Sequence, residues 1–320
     1  MRGTLDKAAH ENFPVAPFFL PRAWRDDLMA VYGFARLVDD IGDGDLAAGS
    51  ADARLLGVAP EQADDRVALL DALEADLRTL FPDAGGTGGG TPRRDTRSAE
   101  TPGPGAPEGD TPAHGGPRHP LLRRLAPTVR RYGLGPEPFL GLIAANRQDQ
   151  LVRRYESYDD LLAYCALSAN PVGRLVLAVT GTATPERIRC SDAVCTALQI
   201  VEHLQDVTED LARDRIYLPA QDMKRFHVRE EDLAAGTANS AVRSLVAFEA
   251  GRALDLLNEG TPLVGSVHGR LKLLLAGFVA GGRAAVRAIA AASYDVLPGP
   301  PKASRVQLLR EVGATLRGKG

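Results

Sequence analysis

Two short acidic clusters carry residue types and spacing that chemistry can use. Asp39-Asp40-Ile41-Gly42-Asp43 comes first and Asp206-Val207-Thr208-Glu209-Asp210 second. Each places carboxylates at i and i+4, which on an α-helix is one face. Around the second cluster Glu202, Asp206, Asp210 and Asp214 recur at every fourth position. Like charges at this spacing cost a helix roughly 0.2–0.5 kcal/mol per pair. Two such faces opposed to one another would repel unless cations lay between them. Clustered carboxylates suit hard, oxygen-seeking cations such as Mg²⁺, which bind through a few carboxylates together with substrate phosphates. The expectation is a Mg²⁺-diphosphate site between two helices, with a simply solvated acidic helix face as the plain alternative.

Guanidinium groups flank both clusters. Arg36 precedes the first, and Arg213 and Arg215 follow the second. Each has two readings: an ion pair with a neighbouring carboxylate, worth little where exposed, or a bidentate grip on phosphate oxygens. His203 lies beside the second cluster without another His or Cys at ligand spacing, and reads as a satisfied helix histidine. The segment Tyr164-Cys165-Ala166-Leu167-Ser168-Ala169-Asn170-Pro171-Val172-Gly173-Arg174 runs through small residues into a proline. That composition leaves space beside a helix kink. A Walker loop, a G-x-G-x-x-G turn after a strand and a G-x-S-x-G elbow are all lacking, so neither a Rossmann nucleotide site nor a hydrolase elbow is supported.

The elements that must position these residues are helical, since few segments alternate with period two. Leu28, Val31, Phe34, Ala35 and Val38 share a face over residues 23–41, after Pro21 and before Gly42 and Gly44. Further helices are expected over residues 64–80, 120–132, 136–152, 157–169, 171–182, 185 to about 213, 239–258, 267–293 and 302–316. A loop with a short helix is expected over 215–232. Residues 83–118 are Gly/Pro/Thr-rich with almost no large apolar side chain, a composition too poor in burial to offset its ordering entropy. They are expected to form a disordered insert in a surface loop, because the acidic clusters must meet from either side of it. The whole, residues 1–320, reads as a single all-α domain around a central cavity.

Net charge is −3 over 320 residues, which excludes a basic nucleic-acid binder as the default. Three cysteines without metal spacing, behind an N-terminus lacking a secretory h-region, point to a reduced, cytoplasmic setting. The most apolar stretch, Leu271–Val296, is interrupted by Lys272, Arg283 and Arg287 and reads as a buried core helix rather than a membrane span.

Taken in order, the motifs resemble the squalene/phytoene synthase family. The resemblance rests on Asn12-Phe13-Pro14-Val15-Ala16 with Leu20-Pro21, on Tyr32-Gly33-Phe34-Ala35-Arg36 leading into the first cluster, and on the Tyr164 segment. It continues through Leu204-Gln205-Asp206-Val207-Thr208-Glu209-Asp210 to Arg213-Asp214-Arg215-Ile216-Tyr217-Leu218-Pro219. The Asn12 and Ser168–Arg174 segments, with Gln205, look like the hydroxysqualene synthase branch of bacterial hopanoid pathways. Glu202 departs from the Asn usual there, which either adds a metal ligand or weakens a diphosphate contact.

The resemblance implies an isoprenoid synthase fold that converts presqualene diphosphate to hydroxysqualene. Mg²⁺ would be required and NADPH would not. Asp39, Asp43, Asp206 and Asp210 would hold the metal, and Tyr164 would stand near the departing diphosphate or the cation. Substrate contacts are implied for Asn12, Arg36, Asp40, Asn170, Gln199, Glu202, Gln205, Arg215, Tyr217 and Phe278. Phe18, Phe19 and Tyr32 are further candidates for the apolar wall. Presqualene diphosphate would be handed over by the enzyme that makes it, with peripheral contact to the inner face of a membrane. Three alternatives stand beside this reading. One is head-to-head condensation of farnesyl diphosphate or another prenyl diphosphate on the same fold. Another is a catalytically silent scaffold, and the third a class I terpene cyclase, whose second motif normally carries Asn and Ser/Thr.

Overall fold

The computed structural model describes residues 16–46, 51–81 and 116–318. Fifteen α-helices occur among them and no strand. They are α1 (Arg22–Asp43), α2 (Ala51–Leu56), α3 (Arg66–Arg78), α4 (Pro120–Tyr132), α5 (Glu137–Leu151), α6 (Tyr158–Ser168), α7 (Asn170–Val179) and α8 (Pro185–Gln205). There follow α9 (Val207–Ala212), α10 (Ala220–Arg225), α11 (Glu230–Leu233), α12 (Ser240–Gly260), α13 (Pro262–Gly265), α14 (Gly269–Ala291) and α15 (Arg305–Leu316). The expected all-α architecture is present, and the long helices lie within a few residues of their sequence positions, except that the one expected over 185 to about 213 ends at Gln205.

Local chemistry sets the boundaries. Asp65, Ser157, Thr184, Asn239 and Ser304 each accept a main-chain N–H of the helix that follows, meeting donors that the first turn leaves free. Gly44 ends α1 in the left-handed conformation at φ 74°, where a side chain would be strained. Gly42 does not end it. The helix runs through Gly42, whose missing Cβ leaves the space that the Asn146 side chain fills.

The core divides into three regions. α1, α3, α4 and α5 enclose Phe34, Leu70, Leu73, Leu122 and Phe139. α6, α8, α12 and the chain after α9 enclose Tyr164, Leu204, Tyr217 and Val246. α7, α8, α13 and α14 enclose Leu177, Ala197, Leu263 and Val279. α8 belongs to two of these regions and packs along α12.

Gly260, at the end of α12, permits that approach. A Cβ there would stand 2.6 Å from the Cys190 carbonyl oxygen and 3.1 Å from the Val194 nitrogen, both backbone atoms. Overpacking of this kind costs about 1–3 kcal/mol. Gly260→Ala is therefore expected to melt roughly 5 °C lower in a thermal scan; an unchanged midpoint would show that the α8–α12 contact can slide apart.

Two stretches, Tyr158–Val179 and Gly269–Ala291, are long and apolar enough to cross a membrane. The first is broken at Ala169 (φ −109°, ψ −47°), where α6 gives way to α7, as Pro171 leads one to expect. The second is α14, with Leu271, Leu274, Leu275, Ala276 and Val279 buried in the core. Of the Gly/Pro-rich insert, residues 83–115 lie outside the described residues. The described chain resumes at Gly116, and the Arg118 and His119 main-chain N–H groups donate to the Asp76 carboxylate at 2.7 and 2.8 Å.

Candidate active site

The two acidic clusters sit where helices end. Asp43 is the last residue of α1, and Asp206 is the C-cap of α8. A helix C-terminus is the negative end of its dipole, so a carboxylate there costs about 0.3–1 kcal/mol. The sequence pattern suggests one helix from 185 to about 213, but the structure breaks it at Asp206 (φ −106°, ψ 15°) and restarts it as α9. The Asp210 N–H still donates to the Asp206 carbonyl at 2.8 Å, keeping the two side chains one helical turn apart. Asp214 leaves the series: its φ is 59°, and its exposed carboxylate pairs with Arg154 at 2.9 Å.

Arg213 joins the clusters, lying 3.4 Å from Asp43 and 3.3 Å from Glu209. Burial pushes the Asp39 carboxyl up to about 7, and the charges of Asp43 and Glu202 push the same way, against the Asn146 amide and Arg36. Glu202 stands on α8, so this repulsion acts between α1 and α8. Asp206 is raised as well, by burial first and then by Asp210 and Glu209. A carboxylate cluster that resists ionisation is one that calls for a cation.

Arginines answer part of that demand. Arg215 donates to Asp43 at 3.1 Å, and Arg213 lies 3.4 Å from the other oxygen of the same carboxylate. The Arg215 side chain is 8% exposed, yet its Nε has no hydrogen-bond partner. A buried guanidinium donor left open beside carboxylates suits an anionic oxygen. His203 Nδ1 lies 3.7 Å from Asp210. Next to these groups is a cavity of about 10 Å³, bordered by His203, Val207, Asp210, Arg215 and Tyr217, which is room for about one water. No group of three or more His, Cys, Asp or Glu among the described residues closes around a metal. The donor chemistry nevertheless fits a hard divalent cation: the groups are all carboxylate oxygens, and guanidinium takes the cation's place at Asp43. Asp39, Asp43, Asp206 and Asp210 are the residues that would hold one.

The third wall is α5. Asn146, Asp149 and Gln150 lie at i, i+3 and i+4 on it and reach four different partners. The Asn146 amide donates to Asp39 at 3.2 Å, and the Gln150 amide to the Gly42 carbonyl at 2.9 Å. Asp149, which is buried, accepts the Tyr164 hydroxyl at 2.8 Å and the Tyr217 hydroxyl at 3.0 Å. Tyr217 stacks on the His203 ring at 3.7 Å between centroids and 10° between planes. Tyr155 lies against both tyrosines. The acidic motifs include none of these α5 residues. Their signal in the sequence is a polar i, i+3, i+4 stripe on a helix whose other inward residues, Phe139, Leu142 and Ile143, are fully apolar.

Not every expected residue comes to this place. Arg36 donates to Asp40 at 2.9 Å within α1, the intrahelical pairing of its two readings. The Asn170 carbonyl oxygen accepts the Thr196 hydroxyl at 3.0 Å, joining α7 to α8, and the Gln205 amide donates to the Pro301 carbonyl at 2.7 Å. Gln199 lies 3.3 Å from His203 through their side-chain nitrogens. Phe278 and Phe19 pack against the α14 core region, and Phe18 is 88% exposed, which removes it from any apolar wall in this conformation. Asn12 lies outside the described residues.

Comparison with known proteins gives the arrangement a context. The family model described as squalene/phytoene synthase matches residues 7–310. The chain is 31% identical to the hydroxysqualene synthase of Rhodopseudomonas palustris over 258 residues, 80% of this chain and 71% of that protein. It is 28% identical to the 15-cis-phytoene synthase of Synechococcus elongatus over 261 residues, covering 78% and 70%. Among solved structures it is similar to squalene synthase HpnC from Alicyclobacillus acidocaldarius, with a TM-score of 0.69 and 36% identity over 92% of this chain and 95% of that one.

Proposed function

The chain belongs to the squalene/phytoene synthase family, and from that premise we propose that it ionises presqualene diphosphate and releases hydroxysqualene and diphosphate. The observation that carries the reading is the pair of opposed carboxylate clusters, joined through Asp43 to Arg213 and Arg215. The branch assignment is supported by identity to hydroxysqualene synthases of three bacteria at 30–31%.

Each group has a task in this reading. Asp39, Asp43, Asp206 and Asp210 would hold Mg²⁺, which would supply neutralisation of the charge on the departing diphosphate. Arg215, with its open Nε, and Arg213 would exchange Asp43 for the diphosphate oxygens, where a guanidinium binds two at once. Gln199 and Arg36 would have to leave their present partners, His203 and Asp40, to add donors, and Glu202 adds negative charge opposite Asp39. Tyr164 and the stacked Tyr217–His203 pair form the wall beside the leaving group, while the apolar core holds water away until the cyclopropylcarbinyl cation has rearranged. Water capture then needs no NADPH.

A product assay tests this reading. Purified protein with Mg²⁺ and presqualene diphosphate is expected to give hydroxysqualene at the same rate with and without NADPH. Squalene formed only with NADPH, or turnover of farnesyl diphosphate alone, would move the chain to the condensing reaction that its phytoene synthase similarity also supports. A second check addresses the silent-scaffold reading. Mg²⁺ with inorganic diphosphate is expected to raise the melting temperature, because a ligand of the native state stabilises it; no shift at saturation would favour a scaffold.

Substrate and product are both long apolar molecules, and peripheral contact with a membrane is part of the proposal. The supporting feature is α15, where Val306 and Leu309 are 67% and 71% exposed on the face that also carries Arg310 and Arg317. An apolar stripe edged by cations suits an anionic lipid surface. Val306→Glu with Leu309→Glu is expected to reduce co-sedimentation with anionic vesicles while leaving turnover of detergent-solubilised substrate unchanged. Equal co-sedimentation of wild type and variant would remove α15 as the contact.

A further inference from the structure

Asp149 is a buried charge beside the site, 7% exposed, and its role is not explained by metal or diphosphate binding. It projects from α5, while the two hydroxyls it accepts come from α6 and from the extended segment after α9. One carboxylate thus ties three separate stretches of chain. Arg215, two residues before Tyr217, is drawn to it by charge. Tyr155, Tyr164, Tyr217 and His203 form a continuous aromatic group around it, with centroid separations from 3.7 to 6.1 Å.

A tyrosine has one hydroxyl proton to give. Both phenols give theirs to Asp149, so neither has one left for a ligand. Burial, and after it the Asp149 charge, also push both phenols far above the ordinary tyrosine value, which keeps them neutral. A neutral phenol held in a fixed orientation does not become a phenolate nucleophile that a nearby cation would alkylate.

We propose that Asp149 is a positioning residue that holds Tyr164 and Tyr217 neutral and fixed in orientation as part of the wall beside the reacting cation. In this arrangement Tyr164 is not the acid that protonates the leaving group, because its proton is committed to Asp149. The inference rests on the reading that this site ionises a prenyl-derived diphosphate.

The test uses the full-length protein with Mg²⁺ and presqualene diphosphate. Asp149→Asn preserves shape but replaces one acceptor oxygen with a donor, so one phenol can no longer donate to it and loses its fixed orientation. A misplacement of this size is expected to lower kcat about 10²-fold, with KM held within about threefold, because the loss falls on the transition state. The stabilisation by Mg²⁺ with inorganic diphosphate is expected to persist in the variant, which a collapsed site would lose. Tyr164→Phe combined with Asp149→Asn is expected to be no slower than the slower single variant, since the two act as one unit. A near-normal kcat in Asp149→Asn, or fully additive losses in the double variant, would overturn the proposal. Should Asp149→Asn fail to fold, Tyr217→Phe takes its place, removing one hydroxyl and leaving the ring; normal kcat there would overturn the proposal equally. If the wild type itself shows no stabilisation by Mg²⁺ with diphosphate and no turnover, the functional reading fails, and that result is distinct from a failure confined to Asp149.

Discussion

Asp43→Asn and Asp206→Asn each reduce turnover by at least about 10³-fold and still melt within a few degrees of the wild-type protein. The first half of this expectation follows from the leaving group. Diphosphate departs before a nucleophile arrives, so the site must stabilise its growing charge, and each carboxylate removed takes away part of the hold on the cations that do so. The second half follows from what these carboxylates do for the fold, which is little. The pair of Asp43 with the half-exposed Arg213 contributes about 0–1 kcal/mol, and an Asn keeps an oxygen that can accept from the buried Arg215. Asp206 has its pKa raised by burial and by Asp210 and Glu209. Its charge therefore opposes folding at neutral pH, and an amide relieves that opposition. A rate assay beside a thermal melt separates the two halves. Either variant retaining near-normal turnover would sink the two-cluster site, and a collapse of the melt would show that these residues serve the fold instead.

The sequence disclosed this site unevenly, for reasons that are physical. The acidic clusters were legible because carboxylates at i and i+4 on apolar helices contradict simple burial and simple solvation alike. The long helices were legible because amphipathic periodicity over many residues leaves few alternatives. The short helices α2, α9, α10, α11 and α13 span four to six residues each, too few for periodicity to register. The break at Asp206 was hidden because Val207–Ala212 continues the helical pattern, and only the backbone reveals the interruption. Gly42 looked like a stop signal, yet its role is to make room for Asn146, a contact across 104 positions that no local rule supplies. Asp149 was passed over for the same reason. Its partners Tyr164 and Tyr217 stand in the motif segments, but the carboxylate that orients them lies in a run, Asn146-Arg147-Gln148-Asp149-Gln150, that reads as an ordinary polar helix end. Asn170 and Gln205 show the converse. Both stand within segments of the family resemblance, and in this conformation both bind the protein's own groups.

Mg²⁺ binding is expected to strengthen about tenfold per pH unit up to a pH near 7 and to level off above it, with Asp39 as the group responsible. Its carboxyl titrates at about 7 in the folded protein against 3.8 as the ordinary value. Between those limits the folded chain holds a proton that the unfolded chain has lost. Without metal, this group's contribution to stability is therefore greatest at low pH and declines as pH rises toward 7. Metal binding reverses the preference, because a ligand carboxylate must be ionised and a cation beside it offsets the repulsion from Asp43 and Glu202. Below pH 7 each binding event must expel the proton; above it the carboxylate is already free. Mg²⁺ alone, titrated calorimetrically at pH 6 and pH 8, reads the effect without the added titration of diphosphate. Glu249 also titrates near 7, beside Arg252 and Asp222, and bends the metal-free stability curve in the same direction, so the metal-dependent part is the diagnostic quantity. Asp39→Asn separates the two: its residual Mg²⁺ binding is expected to lose the step below pH 7, and its metal-free form to melt above wild type at pH 8. Equal Mg²⁺ affinity of the wild-type protein at the two pH values would remove Asp39 from the metal site and leave its raised pKa as a property of burial alone.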